Sequence, residues 1–408
     1  MTSIVAPTSG PIGERLDGID MLRGLAIFFV LMNHVNMRLL IAKVPYTNGI
    51  SDQLVSSLVW NGQLGVQIFF AISGFLITSI ALRRWGSLSR VRRRSFYLMR
   101  LARIAPLLFL LLAVLSALHL AHLQDFVVSS KTGGLPRALF AALTFHVNVL
   151  EARHGYLPGS WDILWSLSVE EMFYLFFPIV ARLFDRGKLL VVLLLGFVAL
   201  GPFSRTIFAH GNEVWKEYSY LGGMDAIALG CLTALLVSRV RFPRLALWML
   251  GTVGTALLIL SLCFSLRTEA WGLDRAGLDM TIVAVGACMV IATTAQTRWK
   301  SPRVMSPLLQ LGQRSYEVYL THMFVVFGLF QLFILAGKPM SAVPALFIVV
   351  IVIAGLLGEA VARFYSEPMN RLIRERWKDR ATRVEPVGEP GESIVREVQK
   401  APGTALVR

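Results

Sequence analysis

MLRGLAIFFVLMNHVNMRLLI, residues 21–41, decides the fold. At 1.5 Å of rise per residue, a run of this length crosses a hydrocarbon core of about 30 Å as a single helix. Two residues within it, Arg23 and His34, are ones that lipid alone would not tolerate. Ionisable groups inside a span face the interior of a bundle and mark a candidate site. Eleven residues apart at 100° per residue, the two side chains fall within about 20° of one another on one face, separated by roughly 16 Å along the axis.

The same pattern extends outward through the chain. Of 408 residues, 55% are hydrophobic and only 16% charged, where a soluble chain carries about a quarter charged. Ten apolar blocks are each long enough to span: 21–42, 61–82, 104–123, 163–182, 188–206, 220–238, 243–266, 277–296, 312–336 and 342–363. A shorter block, 138–150, is read as a re-entrant or interfacial helix. The fold expected is all-α, a polytopic bundle of about ten spans, with no internal repeat and no appended soluble domain.

Charge sets the orientation. With the N-terminus inside, the cytoplasmic segments hold 28 Lys and Arg and the external ones 10, as the positive-inside rule requires. Arg83, Arg84, Arg90, Arg92, Arg93, Arg94, Arg100 and Arg103 form the strongest anchor. Both termini are therefore expected in the cytoplasm, with 1–20 as an N-terminal segment, 21–365 as the membrane domain and 366–408 as a basic tail. That tail, rich in Pro, Gly and Glu from about 381, is expected to be partly disordered. The net charge of +15 sits in loops rather than along one soluble face, which argues against nucleic acid and for membrane lipids and anionic small molecules as partners. Cys231, Cys263 and Cys288 lie in apolar blocks with neither metal-ligand nor disulfide-framework spacing.

Three spans carry the candidate chemistry. His34 is suited to proton transfer, with a hydrogen bond to a neighbouring helix as its structural alternative; Arg23 has snorkelling to headgroups as its own. In GSWDILWSLSVEEMFYLFFPI (159–179), Glu170 and Glu171 come to a depth similar to that of His34. Ser166, Glu170 and Tyr174 follow a four-residue step, so Glu170 is the carboxylate expected to face His34 and orient its ring. In GQRSYEVYLTHMFVVF (312–327), Ser315, Tyr316, Tyr319 and His322 share one side. Asp225 and Glu359 are weaker candidates. Ser73 and Gly74, in FFAISGF (69–75), are small residues that admit either a helix or a ligand.

Together these motifs resemble the membrane acyltransferase 3 family of bacterial O-acylating enzymes. The resemblance rests on Asp20, Arg23, Gly24 and His34 (an Arg, ten residues, His pattern), FFAISG (69–74), Arg100 and Arg103 in MRLARIAP, WSLSVEEMFY (165–174), SYEVYLTH (315–322) and SEP (366–368). It runs in consistent order from about 16 to 370; Met172 departs from it, standing where the family often has glutamine. It implies an acyltransferase for groups other than amino-acyl groups, in the inner membrane. No cofactor would be tightly bound; acyl-CoA, acetyl-CoA first, would be the co-substrate, and a glycan, lipid-linked sugar or macrolide the acceptor. Arg23, Arg100, Arg103 and Ser73 would then serve donor binding. His34 would act as general base with Glu170 orienting it and Glu171 beside it, an acyl-histidine intermediate being the mechanistic alternative. Intramembrane His and Glu residues equally suit a proton-coupled transporter; a glycan-export scaffold leaves His34 unexplained.

Overall fold

The computed structural model describes residues 16–183 and 188–383. The expected disorder of the tail beyond 383 lies outside the described residues. From the first helix, α1 (Asp17–Ile41), the chain passes through a short helix α2 (Asp52–Val59) into α3 (Gly62–Trp85) and α4 (Arg93–Leu120). Two short helices, α5 (Gly134–Leu143) and α6 (Val147–His154), and a single turn, α7 (Gly159–Asp162), lead into α8 (Leu164–Leu183). Next come α9 (Lys188–Arg205), α10 (Glu213–Tyr218), α11 (Tyr220–Arg239), α12 (Arg244–Cys263) and α13 (Ser265–Ala270). The remaining helices are α14 (Asp279–Thr297), α15 (Ser306–Gln313), α16 (Ser315–Leu335), α17 (Val343–Val361) and α18 (Glu367–Arg383).

Ten helical stretches are long and apolar enough to cross a membrane, and no strand occurs among the described residues. They coincide with the ten expected blocks, with two informative differences. The third helix starts at Arg93, eleven residues before the apolar run, so it carries Arg100 and Arg103 on regular helix. The last span does not end at 363: a π turn over Ala362–Ser366 carries it into α18, which packs back on α4. The block 138–150 forms α5 and the first half of α6, too short to span.

Burial separates centre from rim. About two-thirds of the apolar window of the α8 span is buried, against 28% for the α9, α12 and α17 spans, so α8 with α1, α3 and α11 forms the interior. The rim helices keep Leu195, Trp248 and Leu356 exposed, as lipid-facing positions should be. Lipid tails are as apolar as leucine, so close packing rather than apolar burial holds such helices together. At the α3–α11 crossing a Cβ on Gly74 would stand 1.9 Å from the Ile227 carbonyl oxygen, and one on Gly230 would stand 2.0 Å from that of Ala71. At the α1–α15 crossing Gly24 and Gly312 do the same against Leu308 and Asp20. Asp17 and Asp20 in the first turn of α1 and Arg38 in its last complement its dipole.

Candidate active site

α1 is continuous across Arg23 and His34, so the expected spacing and common face hold. Arg23 Nε donates to Ser315 Oγ at 3.0 Å, which ties α1 to the start of α16. Asp20 lies 4.0 Å from the guanidinium, and Arg103, Glu170 and Glu317 are close enough for their charges to act on it. Arg103 itself is exposed and pairs with no acidic side chain among the described residues.

Two carboxylates and an arginine lock together where α4 meets α8. Arg100 donates through Nε to Glu171 Oε1 at 2.8 Å and through Nη2 to Glu170 Oε1 at 2.8 Å. Ser73 Oγ and the Tyr174 hydroxyl also donate to Glu170 Oε1, at 2.7 and 2.8 Å. The Arg100 guanidinium stacks over the Tyr174 ring, 3.8 Å from its centroid. Charge-assisted bonds of this kind are the strong ones, and this knot joins α3, α4 and α8. Glu170 is therefore not a hydrogen-bond partner of His34, and Arg100 is already engaged by two carboxylates.

His34 instead meets His322. The two rings lie 4.8 Å apart, steeply inclined at 66°. His34 Nδ1 is 2.8 Å from the Val30 carbonyl oxygen, His322 Nδ1 is 2.6 Å from that of Tyr319, and His322 Nε2 is 3.4 Å from His34 Nδ1. A carbonyl only accepts, so hydrogen-bond logic assigns the proton to Nδ1 on both rings. His322 Nε2 then presents a lone pair to the His34 Nδ1–H, and His34 Nε2 is left as the proton acceptor, with no hydrogen-bond partner among the described residues. His322 is fully buried, whereas His34 keeps some accessible surface.

Tyr319, one turn earlier on α16, extends the line towards α8. Its ring lies 5.8 Å from that of His322, and its hydroxyl is 2.6 Å from Ser166 Oγ and donates to the Ile163 carbonyl oxygen at 3.0 Å. Ser166, rather than Glu170, is thus the α8 residue level with the histidines. Ser73 bonds Glu170, while its neighbour Gly74 makes the α3–α11 crossing.

Asp225 belongs to a separate cluster. Both its oxygens accept from Arg205 Nη2 at 2.7 Å, one also from Thr281 at 2.6 Å, and neither charged side chain is more than 1% exposed. Its charge is thereby matched inside α9, α11 and α14. Glu359 is held by Arg314, which also binds Glu367 and so clasps α18 to α16.

Sequence reasoning missed a second carboxyl pair, Glu151 on α6 and Asp162 at the end of α7. Glu151 is fully buried, and its Oε1 accepts from the Leu157 amide at 3.0 Å. Burial, with the neighbouring Asp162 charge adding to it, pushes the Glu151 carboxyl well above the ordinary range. Its only sequence signal was a glutamate closing the short apolar block. Among the described residues no group of three or more His, Cys, Asp or Glu could hold a metal.

The described residues thus form a polytopic helical membrane protein whose first span carries Arg23 and, eleven residues along, His34 packed against His322. The chain belongs to the acyltransferase 3 family, whose description is an acyltransferase domain and which matches residues 16–359. Among curated proteins it is similar to O-acetyltransferase OatA of Staphylococcus aureus (strain NCTC 8325 / PS 47), 22% identical over 87% of this chain and 57% of the relative. It is 28% identical to peptidoglycan O-acetyltransferase OatA of Listeria monocytogenes serovar 1/2a, over 76% of this chain and 49% of that protein. A putative O-acetyltransferase of S. aureus strain COL is 24% identical over 76% and 50%. The chain thus spans about half the length of the curated relatives it matches. No solved structure matches it.

Proposed function

We infer that the chain is an integral-membrane O-acyltransferase of the cytoplasmic membrane. It transfers an acetyl group from a CoA thioester on the basic, cytoplasmic side to a hydroxyl of a glycan acceptor. The observation that carries this reading is that His34 engages Val30 and His322 through Nδ1, which leaves Nε2 without a partner among the described residues, on the same helix face as Arg23. The roughly 16 Å between them by helix rise matches an extended pantetheine arm. Arg23 and Arg103 would hold donor phosphates by charge-assisted bonds. The names of the relatives favour peptidoglycan as the acceptor class.

In the reaction, His34 Nε2 takes the acceptor hydroxyl proton as its oxygen attacks the thioester carbonyl carbon. The tetrahedral intermediate collapses, the C–S bond breaks, and the CoA thiolate leaves with the proton returned by the imidazolium. His322 stabilises that imidazolium through its Nε2 lone pair. Glu170 and Glu171 act as positioning residues through Arg100.

The test uses purified protein, acetyl-CoA and a soluble muropeptide or oligosaccharide, with product masses read by mass spectrometry. His34→Ala, inserted and folded, should give no acetylated product, and Arg23→Ala should raise the KM for acetyl-CoA more than that for acceptor. Transfer at the wild-type rate by His34→Ala removes the catalytic assignment. Carriage of a proton by wild type without any acyl transfer would favour a transporter.

A further inference from the structure

Where α3 passes into α4 lies a cavity of about 580 Å³ lined by Arg84, Trp85, Arg90, Arg92, Ser95 and Trp377. It is formed where the C-terminus of α3 turns through Leu88–Arg90 into α4 and meets α18. Its size falls within the range of small-molecule sites. Arg84, Arg90 and Arg92 pair with no acidic side chain among the described residues. Clustered unpaired guanidinium groups repel one another and gain by taking an anion. The two tryptophans are already used as cation platforms: Arg84 sits 5.7 Å from the Trp85 centroid and Arg94 sits 4.4 Å from that of Trp377. Indole faces of this kind accept a heteroaromatic ring equally well.

The cavity is also joined to the candidate active site by charge. Arg374, one turn before Trp377 on α18, lies within electrostatic range of both Arg84 and Arg103, and Arg103 within range of Arg23. Arg84, Arg374, Arg103 and Arg23 thus form a series of cations, each within electrostatic range of the next. A ligand following it would have an aromatic base at one end, several phosphates beside it and a long neutral arm beyond.

We propose that this cavity seats the adenosine and 3′-phosphate of the CoA donor, with the base against Trp85 or Trp377 and the 3′-phosphate on Arg84, Arg90 and Arg92, the 5′-diphosphate staying with Arg103 and Arg23. The proposal rests on the donor reading above and extends it to residues outside the intramembrane site. It also gives α18 a purpose: the helix closes one wall of the cavity and is held in place by the Arg314–Glu367 bond.

The experiment is calorimetric titration of the full chain, in detergent and in nanodiscs, with CoA, 3′-dephospho-CoA and adenosine 3′,5′-bisphosphate. Wild type should bind CoA more tightly than 3′-dephospho-CoA, and adenosine 3′,5′-bisphosphate should compete with CoA. Arg90→Ala and Arg92→Ala should each weaken CoA binding about tenfold, the loss of one charge-assisted contact, with melting temperatures kept. Arg92→Lys should recover part of the affinity. Trp377→Leu should weaken CoA and adenosine 3′,5′-bisphosphate alike. CoA affinities in these variants equal to wild type overturn the proposal while leaving the donor reading intact; absence of CoA binding to wild type overturns the donor reading itself. Loss of affinity for phosphatidylglycerol nanodiscs with CoA binding unchanged assigns the cavity to a lipid headgroup and overturns the proposal.

Discussion

His322 Nε2 faces His34 Nδ1 across 3.4 Å, joining two helices whose histidines stand 288 residues apart. One ring is fully buried and the other keeps accessible surface, so they differ in what they can do. The accessible ring can meet a substrate; the buried one can only act through its neighbour.

His322→Gln should therefore lower kcat by roughly 10²-fold, the scale of general acid–base assistance, with a small change in KM. It should also displace the limb of the pH–rate profile that reports His34. A purely structural His322 would lower the amount of folded protein without moving that limb. Steady-state rates across pH, normalised to folded protein, separate the two.

Arg100 is the hub of the α3–α4–α8 knot. Arg100→Ala leaves Glu170 and Glu171 adjacent without their counter-charge, and should cost about 3–5 kcal/mol, as breaking a buried pair does. Glu170→Gln retains an acceptor for Ser73 and Tyr174 and leaves Glu171 on Arg100, so it should cost less. Thermal melts in one detergent give the order; equal losses would show that the knot is not centred on Arg100.

The α3–α11 crossing makes a sharper structural prediction. Gly74→Val must push a side chain into the Ile227 carbonyl oxygen, 1.9 Å from where its Cβ would stand. Overpacking costs about 1–3 kcal/mol or more, and here the neighbour is backbone and cannot rotate away. Gly86→Ala, at an exposed turn with nothing within 4 Å, should cost much less despite its φ of 74°, about 1 kcal/mol. Comparable melting losses for the two would contradict the close-crossing account.

Glu151 predicts a pH dependence. Its carboxyl is raised by burial and by the adjacent Asp162 charge, so the folded protein holds a proton that the unfolded chain gives up. Stability from this group is complete below the ordinary glutamate range and declines as pH rises through the raised value. Glu151→Gln keeps an oxygen for the Leu157 amide and removes the titration. Its melting temperature should fall less than that of wild type between pH 5 and pH 8, a difference that a melt series at fixed salt resolves.

The spans were legible in the sequence because lipid imposes one requirement, apolar length, that composition meets or fails. The common face of Arg23 and His34 was legible because both lie on one regular helix. Lateral partners were not. Periodicity places a residue in depth and rotation on its own helix but says nothing of which helix lies opposite. Depth and rotation pair Glu170 with His34, whereas its hydrogen bonds go to Arg100, Ser73 and Tyr174. His322 was recognised as a candidate without its neighbour. Ser73 and Gly74, one ambiguous pair in sequence, separate into a polar contact and a packing contact. Glu151 escaped notice because a carboxylate in a short helix outside the spans looks like an ordinary surface residue until its burial is seen.

α1 contains no proline and no break from Asp17 to Ile41, and it is pinned by Gly24 to α15 and by Arg23 to Ser315. Its two functional side chains therefore move together or not at all. On the proposed reaction, selectivity among donors becomes a matter of reach. A thioester on a shortened arm can occupy the arginine end yet stop short of His34, and such a molecule should behave as a competitive inhibitor with respect to acetyl-CoA rather than as a slow substrate.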